Sequence, residues 1–213
     1  MTKVGKPGKV SGQTWGESMF INRKLLELQL KIVYYGPSLS GKTTNLEYIH
    51  AHTEPRFRGD LVSLKTRQDY TLCFDYLELE LGKIKGLKPR FSLCTVPGQT
   101  FYAASQKLVL QGADGVVFVA DSQASRLPDN RQAVQDLFRH LRELGYDPAQ
   151  MPLVVQFNKR DLPGVMPLPL LTQQMQLDGS VMCFESVAIE GRGVFGTLKA
   201  IIAHVVAQVQ SSL

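Results

Sequence analysis

The chain has little that a secreted, membrane-spanning or metal-clustered protein needs. Only three cysteines, Cys73, Cys94 and Cys183, occur in 213 residues, with no C-x-x-C pair among them. That argues against a disulfide framework or a thiolate metal site and fits free thiols buried in strand-like runs in a reducing compartment. A redox pair of Cys73 and Cys94, facing across a hairpin, stays open. The four histidines lack metal-ligand spacing, and His50 and His52 fall at a helix end, where histidine is common. No apolar signal core opens the sequence and no apolar run reaches transmembrane length. No myristoylation glycine follows Met1, and Ser211-Ser212-Leu213 is not a prenylation box. The expectation is a cytoplasmic protein with no integral membrane segment, which meets membranes only through partners or surface charge.

What is present is an ordinary globular composition, with 44% hydrophobic and 20% charged residues. The net charge of +5 is spread along the chain, which reads as a solvated basic surface rather than a nucleic-acid footprint. Residues 1–20 are rich in Gly, Ser and Lys and hold the single tryptophan, Trp15. Such a stretch has too little apolar surface to offset its ordering entropy and reads as a flexible extension. Residues 21–213 read as one domain.

Within that domain strands and helices alternate. Residues 31–35 read as a strand and 42–52 as a helix. Residues 71–81 and 90–95 read as a hairpin around Gly82, Gly86 and Pro89. Two apolar runs, 115–120 and 152–157, suit parallel strands buried on both faces, and 181–185 suits a last short one. Helical stripes run through Val134, Leu137, Phe138, Leu141 and Leu144, and through Val194, Leu198, Ile201, Val205 and Val209. The pattern predicts an α/β three-layer sandwich whose sheet is mostly parallel with one antiparallel edge, with its ligand at the carboxyl ends of the strands.

Between the first strand and first helix lies Gly36-Pro37-Ser38-Leu39-Ser40-Gly41-Lys42-Thr43, a complete G-x-x-x-x-G-K-[ST] phosphate loop. Two glycines at this spacing arise by chance at roughly 0.5% of positions, before Lys and Thr are counted. The glycines let backbone N–H groups close round a phosphate chain, and the helix N-terminus behind them, with Thr44 in its first turn, faces the anion. Lys42 reaches the β and γ oxygens, and the Thr43 hydroxyl suits Mg²⁺. After the strand at 152–157 comes Asn158-Lys159-Arg160-Asp161, of the form N-K-x-D. A carboxylate at Asp161 accepts from guanine N1–H and the 2-amino group. Adenine has neither donor, and leaving such a group unpaired costs about 1–3 kcal/mol. Asn158 braces the site and reaches guanine N7, and the Lys159 stem covers the base. After the last strand, Ser186-Val187-Ala188 offers the Ala188 N–H to guanine O6.

The phosphate loop and N-K-x-D segment, with Thr95-Val-Pro-Gly-Gln99 and Gly115-Val-Val-Phe-Val-Ala-Asp-Ser122, make the chain resemble a Ras-superfamily small GTPase. It is more closely similar to the bacterial MglA-type polarity and gliding-motility GTPases, in which Thr likewise stands at the position of Thr95 in place of the usual Asp. The resemblance covers about residues 20–209. It implies a G domain that binds GTP or GDP with Mg²⁺. It implies switch I at about 56–71, where Thr71 closes on Mg²⁺ and the γ-phosphate, or is simply a strand-opening threonine. It implies switch II at about 97–107, where Gly98 gives its N–H to the γ-phosphate and Gln99 orients the attacking water. Phe101 and Tyr102 then pack switch II on the core or a partner. Asp75 and Asp121 read either as extra negative charge near the metal or as plain strand-end acids. The implied partners are a Roadblock-type activating protein similar to MglB and polarity or motility effectors, with peripheral placement at the cell pole.

One departure matters. Many MglA-type proteins carry an arginine between the positions of Asp69 and Thr71, and this chain has Tyr70. An arginine there contributes on the order of 10³–10⁵ in rate. Its loss implies slow intrinsic hydrolysis, or a GTP-loaded scaffold with negligible turnover. Arg67, Arg56 and Arg58 are alternative cations, and the plainer reading of each is a solvated loop charge. A phosphate-loop kinase or ATPase is the further rival, which residues 158–161 oppose.

Overall fold

The computed structural model describes residues 20–22, 26–64, 74–97 and 103–212. In chain order the elements are β1 (Phe20–Asn22), β2 (Glu27–Tyr35), α1 (Lys42–His52), β3 (Val62–Leu64), β4 (Phe74–Glu80), β5 (Lys88–Thr95), α2 (Ala103–Leu110), β6 (Gly115–Asp121), α3 (Leu127–Glu143), β7 (Leu153–Asn158), α4 (Leu168–Gln174), β8 (Met182–Glu185) and α5 (Val194–Ser212). The sheet runs β3-β4-β5-β2-β6-β7-β8, with β1 pairing off this path against β2. Strands β5, β2, β6, β7 and β8 are mutually parallel. The β4–β5 and β3–β4 pairs are antiparallel and form the expected antiparallel edge.

The β4–β5 hairpin closes through Ile84 and Leu87, whose backbones exchange hydrogen bonds of 2.9 and 2.8 Å. Lys85 and Gly86 both have positive φ, 46° and 86°, as a two-residue type I′ turn requires. Alternation along β2 assigns its two faces. Leu28, Leu30, Ile32 and Tyr34 pack toward α1 and α5, while Val33 and Tyr35 pack toward α2, α3 and α4. Helices therefore cover both faces, and β6 at the centre is buried along its whole length.

Strands β1 and β3 and helices α2 and α4 had no clear sequence signal. Cys94 is buried, and burial pushes its thiol pKa up, but Cys183 is exposed, contrary to the expectation of buried thiols. The reason is position: β8 is the outer strand of the sheet, and most of its residues face solvent. Cys73 and Trp15 lie outside the described residues, as does the proposed extension apart from Phe20. Helix α5 is long and apolar enough to cross a membrane by length and composition alone, with mean hydropathy 1.2 over Val194–Ser211. Its Val194, Leu198, Ile201, Val205 and Val209 stripe is buried in the core, which accounts for that apolar character.

Candidate functional site

Every parallel strand delivers its loop to the same end of the sheet. The 36–41 loop leaves β2, Asp121 closes β6, Asn158 closes β7, and Ser186 follows β8. The phosphate loop is held tightly from behind. Gly36 has φ 144°, and a Cβ there would stand 2.2 Å from the Val119 carbonyl oxygen. Gly41 has φ 102°, and its Cβ would stand 2.2 Å from Asn158 Nδ2. Only glycine meets both demands. At the tip, Leu39 takes φ 62° and is 83% exposed.

Lys42 opens α1 and is buried. Its ammonium donates to the Gly36 and Pro37 carbonyls at 2.9 and 2.7 Å. Burial lowers its pKa to about 8, against the opposing pull of Asp75. Thr44 is half-buried in the first turn of α1. The Ser40 hydroxyl is buried and has no hydrogen-bond partner among the described residues, and the half-buried Ser38 carbonyl accepts from Arg126 Nη2 at 2.8 Å.

Asn158 joins the two halves of the crevice. Its Nδ2 donates to the Ser40 carbonyl at 2.8 Å, and its Oδ1 accepts the Ala188 N–H at 2.9 Å. Asn158 thus ties both loops together, with the Ala188 N–H directed at its side-chain oxygen. Val187 is buried beside it. Lys159 adopts φ 63° and pairs with Asp121 at 2.8 Å, with Arg126 a further 3.9 Å from that carboxylate. Asp121 is therefore a buried counter-ion to the wall. The next loop is pinned by the Arg160 N–H to the Ser186 carbonyl at 3.1 Å. Asp161 stands exposed on it, and among the described residues no hydrogen bond or ion pair engages its carboxylate.

The second acid open to two readings, Asp75 on β4, is buried and lies against the loop. Thr43 Oγ1 donates to Asp75 Oδ2 at 2.6 Å, and Thr95 Oγ1 donates to the same oxygen at 3.0 Å. The Asp75 N–H returns a bond to Thr95 Oγ1 at 2.8 Å, and the Ser63 hydroxyl donates to Oδ1. With its proton on Asp75, the Thr43 oxygen keeps its lone pairs free. A hydroxyl backed by a carboxylate is a donor set for a hard divalent cation, so these residues fit Mg²⁺.

Arg56 pairs with Glu54 at 2.8 Å and stacks on Phe57, while Arg58 bonds the Thr53 carbonyl and His50. Both have partners within their own segment. Thr71, Gly98, Gln99, Tyr70, Arg67, Phe101 and Tyr102 lie outside the described residues. Sequence reasoning missed the Arg126 bond to the phosphate loop. It also missed a buried amide pair, in which Asn45 and Gln156 exchange bonds of 2.8 and 3.0 Å and Gln156 also reaches Thr197 at 3.1 Å. The one available signal was a glutamine interrupting the apolar run of β7.

A phosphate loop at the head of β2 and N-K-x-D after β7, on a mostly parallel sheet covered on both faces, define a nucleotide-binding domain of the Ras-like GTPase class. No family model matches the chain. It is 48% identical over 191 residues to the mutual gliding-motility protein MglA of Myxococcus xanthus (strain DK1622), across 90% of this chain and 97% of that protein. The chain belongs to the MglA family of Ras-like GTPases.

Proposed function

We propose that this chain is a guanine-nucleotide switch that hydrolyses GTP slowly to GDP and phosphate and that serves cell polarity or gliding motility. The observation that carries the reading is the Asn158 brace. One side chain ties the phosphate loop to the loop after β8 and leaves Asp161, three residues on, uncommitted at the same mouth. In this reading Gly36, Ser38, Leu39, Ser40, Gly41, Lys42, Thr43 and Thr44 cradle the phosphates. Asp161, with Asn158, Lys159, Val187 and Ala188, holds the guanine.

Mg²⁺, when bound, neutralises phosphate charge. Thr43 and Thr71 are its side-chain ligands, and Asp75 orients Thr43 while restoring the negative charge that Thr95 lacks. Gly98 contacts the γ-phosphate and Gln99 orients the attacking water, so that phosphate binding orders both switches and hydrolysis releases them. The Myxococcus relative is named for gliding motility, and we extend that role to this chain. The fitting partners are a Roadblock-type activating protein and polarity effectors, reached from the cytoplasm with peripheral placement at the pole.

Tyr70 favours a second reading, a scaffold that stays loaded. A single-turnover measurement separates the two. Protein loaded with GTP and Mg²⁺ is followed for phosphate release, with and without a Roadblock-type protein. The switch reading expects release near the unassisted level of roughly 10⁻⁴ per second. No release under either condition supports the scaffold, and failure to load GTP at all defeats both.

A further inference from the structure

The phosphate loop turns at Leu39, and nothing in that side chain explains the turn. Leu39 takes φ 62°, a left-handed conformation that costs a residue with a Cβ and persists only where its surroundings hold it. The side chain is 83% exposed, so its own packing does not hold it. The carbonyls on either side are held instead. Asn158 Nδ2 donates to the Ser40 carbonyl and Arg126 Nη2 to the Ser38 carbonyl, each at 2.8 Å.

Arg126 is itself fixed. It ends the 3₁₀ turn Ala124–Arg126 and immediately precedes α3. Its Nη1 pairs with Asp129 Oδ2, in the first turn of α3, at 2.5 Å, and its Nε faces the buried Asp121 carboxylate at 3.9 Å. The guanidinium is a rigid planar fork, so two anchored nitrogens aim the third at Ser38. None of the sequence motifs includes this arginine.

In a trans peptide the carbonyl and the following N–H point in opposite directions. With the Ser38 oxygen turned to Arg126, the Leu39 N–H is turned away from it, and among the described residues no hydrogen bond engages that N–H. Phosphate loops grip their ligand through such amides. We propose that Arg126 is the positioning residue for the Ser38–Leu39 peptide and presets the Leu39 N–H for the diphosphate. It acts through the loop, so GDP and GTP, which share that diphosphate, feel it equally. This inference rests on the reading above, in which the loop cradles phosphates.

Equilibrium affinities of the full chain for fluorescent GDP and GTP analogues test it, together with hydrogen exchange of the Leu39 amide in the GDP-loaded protein. Arg126→Gln is expected to weaken GDP and GTP alike by roughly tenfold, the worth of one hydrogen bond from a charged donor, and to speed exchange at Leu39. Arg126→Lys, which keeps the charge, is expected to lose less. Asp129→Asn frees the guanidinium at an exposed position, and a smaller loss shared by both nucleotides is expected; this variant carries the test if Arg126→Gln does not fold. A residue that merely stabilises the fold would lower the unfolding temperature and leave both affinities and Leu39 exchange at wild-type values, and that result overturns the proposal while leaving the switch reading intact. A loss confined to GTP overturns it too, because it would put Arg126 at the γ-phosphate. Wild-type protein that binds neither nucleotide overturns both the inference and the reading it rests on.

Discussion

At the scale of single residues, the site turns on acids and amides whose partners are far apart in sequence. Asp75 shows this best. The sequence leaves it equally a strand-end acid or a source of charge near the metal, because the choice depends on β4 lying beside β5 and reaching α1. The structure brings its carboxylate to Thr43 across 32 positions. Replacing Asp75 by Asn is expected to raise the Mg²⁺ concentration needed to retain bound GDP by about 10- to 100-fold, as losses of groups that orient metal ligands do. Unchanged Mg²⁺ dependence of GDP release would remove Asp75 from the metal's surroundings.

His140 carries a pH prediction. Burial, reinforced by Arg139 and Lys107 and opposed by Asp136 and Glu143, holds its imidazole below the ordinary 6.5, with the neutral Tyr35 hydroxyl on its inner side. The folded protein takes that proton less readily than the unfolded chain. Its stabilising contribution is therefore complete above pH 6.5 and lost as pH falls through the lowered value. The unfolding midpoint is expected to drop between about pH 7 and about pH 5, and His140→Gln should flatten part of that drop. Equal slopes in the two proteins would contradict this.

At the scale of elements, the long and strongly periodic segments were legible in the sequence. Strands β6 and β7 and helices α1, α3 and α5 fall where apolar runs and stripes place them, with ends shifted by a few residues. Strand β2 starts four residues earlier than its apolar core suggests, because Glu27 to Leu30 alternates rather than running apolar. Strands β1 and β3 have three residues each and α4 has seven, too short to show a period. They are specified by neighbours, not by local pattern.

Helix α5 packs so closely on β6 that glycine is needed at the contact. A Cβ at Gly115 would meet Val205 Cγ2 at 2.6 Å and Ile201 Cδ1 at 3.1 Å. Gly115→Ala is expected to cost about 1–3 kcal/mol in urea unfolding. Adding Val205→Ala should recover part of that loss, so that the pair costs less than the sum. Strict additivity would show that the contact is not the cause.

At the scale of the whole molecule, parallel β2, β6, β7 and β8 explain why motifs more than a hundred residues apart share one crevice. Each loop leaves at the same edge, so the order of motifs along the chain becomes a geometry around one ligand. That much was readable from motif order and strand alternation. The cross-links were not. Arg126 to Ser38, Asn158 to both loops, and the Asn45–Gln156–Thr197 cluster are contacts between elements, and a polar residue in a sequence does not announce its partner.

The central claim is that this crevice holds a guanine nucleotide and checks the base through Asp161. The most direct measurement is competition for labelled GDP bound to the purified protein in the presence of Mg²⁺. The account predicts that excess GTP displaces the label and equal ATP does not, and that Asp161→Asn transfers the preference to xanthine nucleotides. Displacement by ATP as effective as by GTP, or undiminished GDP binding by Asp161→Asn, would contradict it.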